Sequence, residues 1–430
     1  MKKSSRAFAL IAAGSIVLAA CSSSSSKNST STTVGSSGTA SGSTSATTGA
    51  AGATSQYKAI PAGPIVFGVS VPLTGATASY GLAAELAFNK VTLPAFNAAN
   101  PNGIDGHPVQ IKILDDASDV TKAVSVAQQL SADHVAAILT VSYNPEAADQ
   151  QLAVFNKNKV PVLSTLSGSQ FADTAKWPYD FGIGASLQQE GTTTAKYIAA
   201  KGYTKVATIT DGLPQDVDAL GQITTALKTG APNAQVVKAV TVSPGSVDLS
   251  AAVAQLKSAN PQALLVYLGF GYGPLWSAMR SASFAPQVIA SAGAWYDGFS
   301  GMGSLATTAV APYYDCAPST TTTFPASTTA LMGQYAAGTG DAAVNYLTYV
   351  ATDTVPLEML KDAIEKYHST DPNAIKAAME SMSAATYEGI SYSYSSTNHY
   401  GATGVYGAAV CNMDPPYAGG KAKVPVIAQS

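Results

Sequence analysis

Charge is scarce in this 430-residue chain: Asp, Glu, Lys and Arg make up 11% of it, and the formal net charge is −3. That excludes the basic face by which a protein holds nucleic acid and the polybasic patch that draws one to an anionic membrane. Histidine is scarcer. His107, His134, His368 and His399 lie far apart, and none stands in an HxxxH or HxE spacing that would set metal ligands on one helix face. No metal is expected. There is no GxSxG elbow, P-loop, complete GxGxxG fingerprint or HExxH, and Gly269-Phe270-Gly271 breaks the dinucleotide pattern at Pro274. Asp115 and Asp116 resemble a carboxylate pair, but adjacent strand residues point to opposite faces, so they read as a strand-end turn. Neither catalytic residues nor a cofactor are therefore expected. Only three cysteines, Cys21, Cys316 and Cys411, remain to be placed.

The first of them closes an address. Lys2, Lys3 and Arg6 precede an apolar stretch, residues 7–17, that is too short to span a bilayer as a stable helix. Leu18-Ala19-Ala20-Cys21 then resembles a bacterial lipobox, in which the cysteine is lipidated and becomes the first mature residue. Residues 1–21 are thus expected to be a lipoprotein signal peptide. Residues 22–60 are almost wholly Ser, Thr, Gly and Ala, with nothing to bury, and read as a disordered tether. A Gly/Ser-type chain of about 40 residues reaches roughly 35 Å. The expected location is outside the cytoplasm, anchored to the cell membrane through Cys21, where Cys316 and Cys411 can be oxidised.

The full chain is 46% hydrophobic, and the part beyond the tether is globular material for more than one domain. It is organised around residues 65–81, IVFGVSVPLTGATASYG: a near-continuous apolar run, a Pro/Gly stop, small hydroxyls and a tyrosine opening a helix that reaches residue 99. Such a run suits a parallel strand buried on both faces. Thr74, Thr77 and Ser79 serve either as helix caps or as ligand contacts, because open α/β sheets bind ligands at the carboxyl ends of their strands. Strands at 109–114, 135–140 and 160–163 follow, with helices between them. Asn144 and Pro145 read as N-cap and N1 of the helix after the third strand. Residues 177–184, WPYDFGIG, read as a crossover strand rather than a core one. A second series then alternates: strands 206–210, 235–242, 263–268 and 288–291, with helices at 215–228, 249–256 and 275–283. The last part carries a strand at 310–316, a helix within 320–337, helices at 344–367 and 373–382, and strands at 390–394 and 404–411. The fold class is α/β, and right-handed crossovers make each half doubly wound.

In order, SVPLTGATASYG (70–81), Ile104-Asp105-Gly106, Leu114-Asp115-Asp116, Val160-Pro161-Val162 with Ser164, and Gln189-Glu190-Gly191 with Tyr197 carry a family resemblance. The chain resembles the extracytoplasmic solute-binding proteins of branched-chain amino-acid ABC transporters, the leucine/isoleucine/valine-binding type, over about residues 65–407. The resemblance implies a type I periplasmic binding protein: two Rossmann-like lobes joined by three crossover segments, closing over a ligand by hinge motion. Lobe 1 is expected to comprise residues 61–182 and 315–388, and lobe 2 residues 183–314 and 389–425. Cys316 would lie at the second crossing and Cys411 in the last strand of lobe 2. A disulfide between them is implied, with two buried free thiols as the alternative.

The resemblance also distributes ligand contacts. In lobe 1 a carboxylate would meet Ser142, Tyr143 and Asn144 and the loop Leu166, Ser167, Gly168 and Ser169, with Ser79 and Tyr80 at the cleft edge, because oriented backbone amides bind an anion without arginine. Lobe 2 departs from the family. Leu213-Pro214-Gln215 stands where a tyrosine is usual, leaving Gln215 as the contact, and Ser291-Ala292-Gly293-Ala294 stands where an acid normally meets the ligand's ammonium. A buried ammonium without a counter-charge is costly, so either Asp297 replaces that acid or the ligand is not an α-amino acid. Phe270, Tyr272, Trp295 and Tyr296 supply an aromatic wall instead. The expected protein is a monomer whose partners are a small-molecule ligand, an amino acid, an amide or an aromatic or carboxylate compound, and ABC permease subunits. A ligand-sensing lipoprotein that reports to a membrane receptor is the alternative.

Overall fold

The computed structural model describes residues 56–75, 78–165, 168, 172–269, 271–291, 305, 309–313, 325–339, 349–403, 409–412 and 428–429. All of them belong to one compact unit, Ala53–Ser430. The signal peptide with Cys21 and nearly all of the tether lie outside the described residues.

The first lobe is a five-stranded parallel sheet. β1 (Ile65–Val71) is followed by α1 (Ala78–Ala87), a π-turn (Phe88–Thr92) and α2 (Leu93–Ala99). Then come β2 (Val109–Asp115), α3 (Val120–Ala132), β3 (Ala137–Thr140), α4 (Pro145–Lys157), β4 (Val162–Ser164) and β5 (Asp180–Gly182). The strand order is β2-β1-β3-β4-β5, and every pairing in it is parallel. Alternation sorts the core. Phe67, Val69, Ala137 and Leu139 face one layer, while Ile138 and Val162 face α3 and α4 with Leu130, Leu152 and Phe155.

The second lobe opens with α5 (Leu187–Ala200) and continues through β6 (Lys205–Thr210), α6 (Pro214–Gly230), β7 (Gln235–Thr241), α7 (Ser250–Ser258), β8 (Ala263–Tyr267), α8 (Tyr272–Ser281), β9 (Gln287–Ala290) and β10 (Val310–Tyr313). Val206, Leu265, Tyr267 and Ile289 pack under α5 and α6. Ile209, Leu264, Val266 and Val288 pack under α7 and α8.

The chain then returns to the first lobe. α9 (Ala326–Thr339), a second π-turn (Val350–Thr354), α10 (Val355–Tyr367) and α11 (Pro372–Glu380) precede a small sheet of β11 (Ala385–Tyr387), β12 (Ile390–Tyr392) and β13 (Ala402–Thr403). Val355, Leu357, Leu360, Ile364 and Ile375 share one core with β1. β14 (Ala409–Asn412) and β15 (Ala428–Gln429) complete the second sheet, whose order is β15-β14-β10-β9-β8-β6-β7.

Both π-turns have the same origin. Pro94 and Pro356 lack an N–H and crowd the carbonyl four residues back, so the preceding turn widens. Leu93 N–H thus reaches Phe88 O, and Val355 N–H reaches Val350 O. The last residues of the two turns meet at one hydroxyl: Tyr335 Oη lies 2.7 Å from Thr92 Oγ1 and 2.8 Å from Thr354 Oγ1. Beside it Asp353 is buried, with one oxygen taking the Thr352 hydroxyl and the other unpartnered. Burial pushes its carboxyl up to about 8.

The segment read as a crossover only is also a sheet member. β5 pairs with β4 from Asp180 to Gly182 and is buried. Its glycine is required by a close approach, since a Cβ at Gly182 would lie 2.7 Å from the Tyr400 ring.

Candidate functional site

The carboxyl ends of β1, β2 and β3 carry a dense polar network. Asp115 Oδ1 accepts the N–H groups of Leu73 (2.9 Å), Thr74 (3.1 Å) and Ala117 (2.8 Å). Its Oδ2 takes the Thr74 hydroxyl at 2.8 Å and Lys122 Nζ at 2.7 Å. Burial alone would raise this carboxyl, but Lys122, Thr74 and the backbone donors outweigh it and hold it well below the usual range. Asp116 points the other way. It accepts the Ser70 hydroxyl at 3.0 Å and Ser118 N–H at 3.0 Å. Burial raises its pKa, against the hydrogen bonds of Ser118, Ser70 and Ser142. Gln151 ties the network together, donating to Ser70 Oγ (2.6 Å) and Ala123 O (3.0 Å) and accepting Ser142 N–H (2.8 Å).

This network uses two of the side chains that the sequence offers to a ligand. The buried Ser142 hydroxyl bonds Asp116 and accepts Asn144 N–H at 3.3 Å. Asn144 caps α4, taking Glu146 and Ala147 N–H at 3.1 and 3.4 Å, and donates to Ser118 O at 3.0 Å. The β3–α4 connection is so short that Ser142 and Asn144 turn inward as braces. Tyr143 between them turns outward: it is 37% exposed and meets Tyr80 edge-on, ring centroids 6.4 Å apart at 87°. Tyr80 and Tyr143 are therefore brought together. Gly168 is buried, and its carbonyl accepts the Tyr400 hydroxyl.

In the second lobe the corresponding strand ends hold a different arrangement. Asp211, just past β6, accepts Leu213 N–H at 3.1 Å and Gly269 N–H at 2.8 Å. Asp216, in the first turn of α6, is 8% exposed. Burial, the neighbouring Asp211 charge and a hydrogen bond to Asp211 push its carboxyl up to about 8. None of the ion pairs among the described residues involves either group. Gly269 is half-buried above them; a Cβ there would lie 3.4 Å from Asp211 Oδ2, 3.6 Å from Asp216 Oδ2 and 2.6 Å from Leu213 Cδ1. Tyr272 lies beneath this wall and not on it. Its ring is fully buried on Trp276, centroids 5.8 Å apart, and its hydroxyl pairs with Ser291 Oγ at 2.5 Å and takes Leu268 N–H at 3.3 Å. Gln215 stands half-buried at the start of α6.

The crossing between the sheets is held by aromatic residues. Phe181 stacks on His399 (4.1 Å) and meets Tyr394 edge-on (5.7 Å). Tyr392 and Tyr394 donate to the carbonyls of Ile183 (3.3 Å) and Gly182 (3.1 Å). His399 Nδ1–H donates to Asp180 O at 2.9 Å, and its other nitrogen faces Glu380 Oε1 at 3.2 Å. Burial lowers the His399 pKa, with Glu380 pulling the other way, and burial pushes Asp180 up to about 7. Tyr400, bonded to Gly168 of the first lobe, is also within the field of Asp218 on α6 of the second.

Leu166, Ser167, Ser169, Phe270, Trp295, Tyr296, Asp297 and Cys316 lie outside the described residues. Ser79 is in α1 and Cys411 in β14, but their side chains lie outside the description, so the Cys316–Cys411 pairing does too. Among the described residues no cluster of His, Cys, Asp or Glu could hold a metal ion, and no helix is long and apolar enough to cross a membrane. Sequence reading missed the Asp211–Asp216 pair. The signal was there: an aspartate ending a strand, Pro214 at the start of the next helix, and an aspartate in its first turn.

Residues 64–412 match the model of a family described as periplasmic binding protein. Leu/Ile/Val-binding protein homolog 1 of Brucella abortus is 27% identical over 211 residues, which is 48% of this chain and 53% of that one. The chain thus spans about half the length of the curated relatives it matches. The branched-chain amino acid transporter substrate-binding protein of Streptococcus pneumoniae, solved with isoleucine, aligns with a TM-score of 0.67 at 20% identity, covering 85% of this chain and 99% of that one. An ABC-transporter solute-binding protein of Rhodopseudomonas palustris, solved with p-hydroxybenzoic acid, aligns with a TM-score of 0.67 at 17% identity, covering 85% and 97%. At these identities the likeness to the solved structures is one of fold: two Rossmann-like lobes.

Proposed function

The chain belongs to the periplasmic binding protein family, and from that premise we propose that it captures a small molecule between its two lobes and delivers it to an ABC transporter permease. It does so as a lipoprotein, tethered outside the cytoplasm through Cys21, and binding involves no chemistry on the ligand. One observation carries the reading. Both sheets end their parallel strands near polar and aromatic side chains, Tyr80 with Tyr143 on one lobe and Asp211 with Asp216 on the other. In open α/β sheets that edge is where ligands bind. The aromatic-lined crossing at Phe181–Ile183 supports a hinge, since Tyr392, Tyr394 and His399 of a second connecting segment hydrogen-bond its backbone. Similarity to proteins solved with isoleucine and with p-hydroxybenzoic acid supports amino acids and aromatic acids as the ligand range.

Thermal-shift titration with both compound classes, paired with small-angle scattering, tests this. A ligand at 100 times its Kd adds about 2.7 kcal/mol, a rise of several degrees in Tm, and closure shrinks the radius of gyration. Failure of every compound to raise Tm, with no change in scattering, would sink the proposal.

A further inference from the structure

We propose that Asp211 and Asp216 form a one-proton carboxyl pair that receives a cationic nitrogen of the ligand, giving up its proton as the nitrogen docks. The inference rests on the solute-binding reading above and names the ligand class: a molecule bearing an ammonium.

Four observations support it. First, the two carboxyls share one buried corner: a Cβ at Gly269 would stand 3.4 Å from Asp211 Oδ2 and 3.6 Å from Asp216 Oδ2, and the two residues are 3% and 8% exposed, so close like charges in a buried site cannot both ionise. The pair therefore holds a single negative charge when empty. Second, that charge is buried and, among the described residues, lacks a cation. The hydrogen bonds given for Asp211 come from the backbone N–H groups of Leu213 and Gly269, and the described ionisable groups that act on the neighbouring tyrosines, Tyr267 of β8 and Tyr272 of α8, with Glu190 of α5 near Tyr267, are neutral or acidic. A buried charge without a counter-ion is unfavourable unless something pairs with it. Third, the Tyr267 hydroxyl is buried, has no hydrogen-bond partner among the described residues and lies within the field of Asp216. An ammonium offers three donors and can serve it along with both carboxyls. Fourth, the pair lies at the carboxyl end of β6 beside Gly269, which has no side chain to stand between it and a ligand; an added Cβ would rest in van der Waals contact with both carboxyls.

The same geometry adds a third answer to the choice left by the sequence. The acid that appears absent from residues 291–294 is supplied from another strand end, by two residues of the β6–α6 connection. Lobe 1 confers no such role on Asp115, whose charge Lys122 already neutralises at 2.7 Å.

Docking of an ammonium makes the pair a dianion, so one proton leaves to solvent and no covalent bond changes. Affinity for an ammonium ligand then climbs with pH, about tenfold per unit below the pair's pKa, and levels off above it. The test is isothermal titration calorimetry on the full-length chain with the twenty amino acids, L-isoleucine among them, and with 4-hydroxybenzoate. It is run at pH 6, 7 and 9 in two buffers of different ionisation heat. The expected result is binding of an amino acid, release of close to one proton at pH 7, and a tightening of about tenfold between pH 6 and 7. Asp216→Asn, whose amide keeps the hydrogen bond to Asp211, should abolish the proton release and flatten the pH profile. Binding of 4-hydroxybenzoate but of no amino acid leaves the solute-binding reading standing and overturns the ammonium pair. So does amino-acid binding with no proton release at any pH. Binding of nothing in the panel removes both readings.

Discussion

Two pairs of aspartates stand at the same edge of two similar sheets and have opposite surroundings. In the first lobe Asp115 gathers three backbone N–H groups, a hydroxyl and the Lys122 ammonium, and Asp116 is threaded into Ser70, Ser118 and Ser142. In the second, Asp211 and Asp216 have each other, two N–H groups and, among the described residues, no cation. The difference teaches that residue type and strand-end position do not define a role; the number of satisfied lone pairs does. A carboxylate whose lone pairs are all used builds a loop, and one left short of partners has capacity for a ligand.

Removing Asp115 should break this comparison most forcefully. Asp115→Ala strands the Leu73, Thr74 and Ala117 amides and Lys122, and is expected to cost about 2–4 kcal/mol in urea unfolding. Asp216→Asn should cost under about 1 kcal/mol at neutral pH, since the pair's hydrogen bond survives. Equal losses would erase the distinction between the lobes.

Next in size is the pH dependence of stability. Asp216 and Asp353, raised to about 8, and Asp180, raised to about 7, keep protons in the folded state that an unfolded chain releases near pH 4. Their contribution is fully present below the unfolded pKa and declines as pH rises toward the folded values, by up to about 1.4 kcal/mol per unit for each group. Buried His399, lowered from its usual value, opposes this only below about pH 6.5. Tm should therefore fall from pH 6.5 to pH 8.5, and Asp353→Asn should make that decline shallower. A flat profile in the unmodified protein would contradict the raised carboxyls.

Gly269→Ala sharpens the picture of the second wall. Its methyl group meets Leu213 Cδ1 at 2.6 Å, so a loss of about 1–2 kcal/mol is expected in urea unfolding. The smallest effect concerns the first wall. Tyr143→Ala removes an edge-on contact worth about 0.5–1.5 kcal/mol, and ligand affinity should drop by more than the fold's stability does. A change in stability alone would make Tyr143 a packing residue.

Much of the architecture is legible because parallel strands buried on both faces are written as apolar runs, as in residues 65–71, and because caps are local. Asn144 and Pro145 start α4 as their residue types require. β5 was harder to read: three residues long and ending in glycine, it takes its place in the sheet from Tyr400 and His399, over 200 positions away. The walls were legible only in part. Ser142 and Asn144 look like ligand contacts until Gln151 and Ser118 are seen to use them. Asp216 looks like an ordinary first-turn acid until its burial beside Asp211, with no cation near among the described residues, becomes visible. Those are facts of tertiary placement.

The contrast between the lobes can be read from one infrared difference spectrum, recorded at pH 7 on adding L-isoleucine or whichever amino acid the protein binds. Loss of a protonated-carboxyl C=O band, retained in Asp115→Asn and missing from Asp216→Asn, is the result predicted for a proton held between Asp211 and Asp216. No loss in the unmodified protein, or a loss that persists in Asp216→Asn, would contradict it.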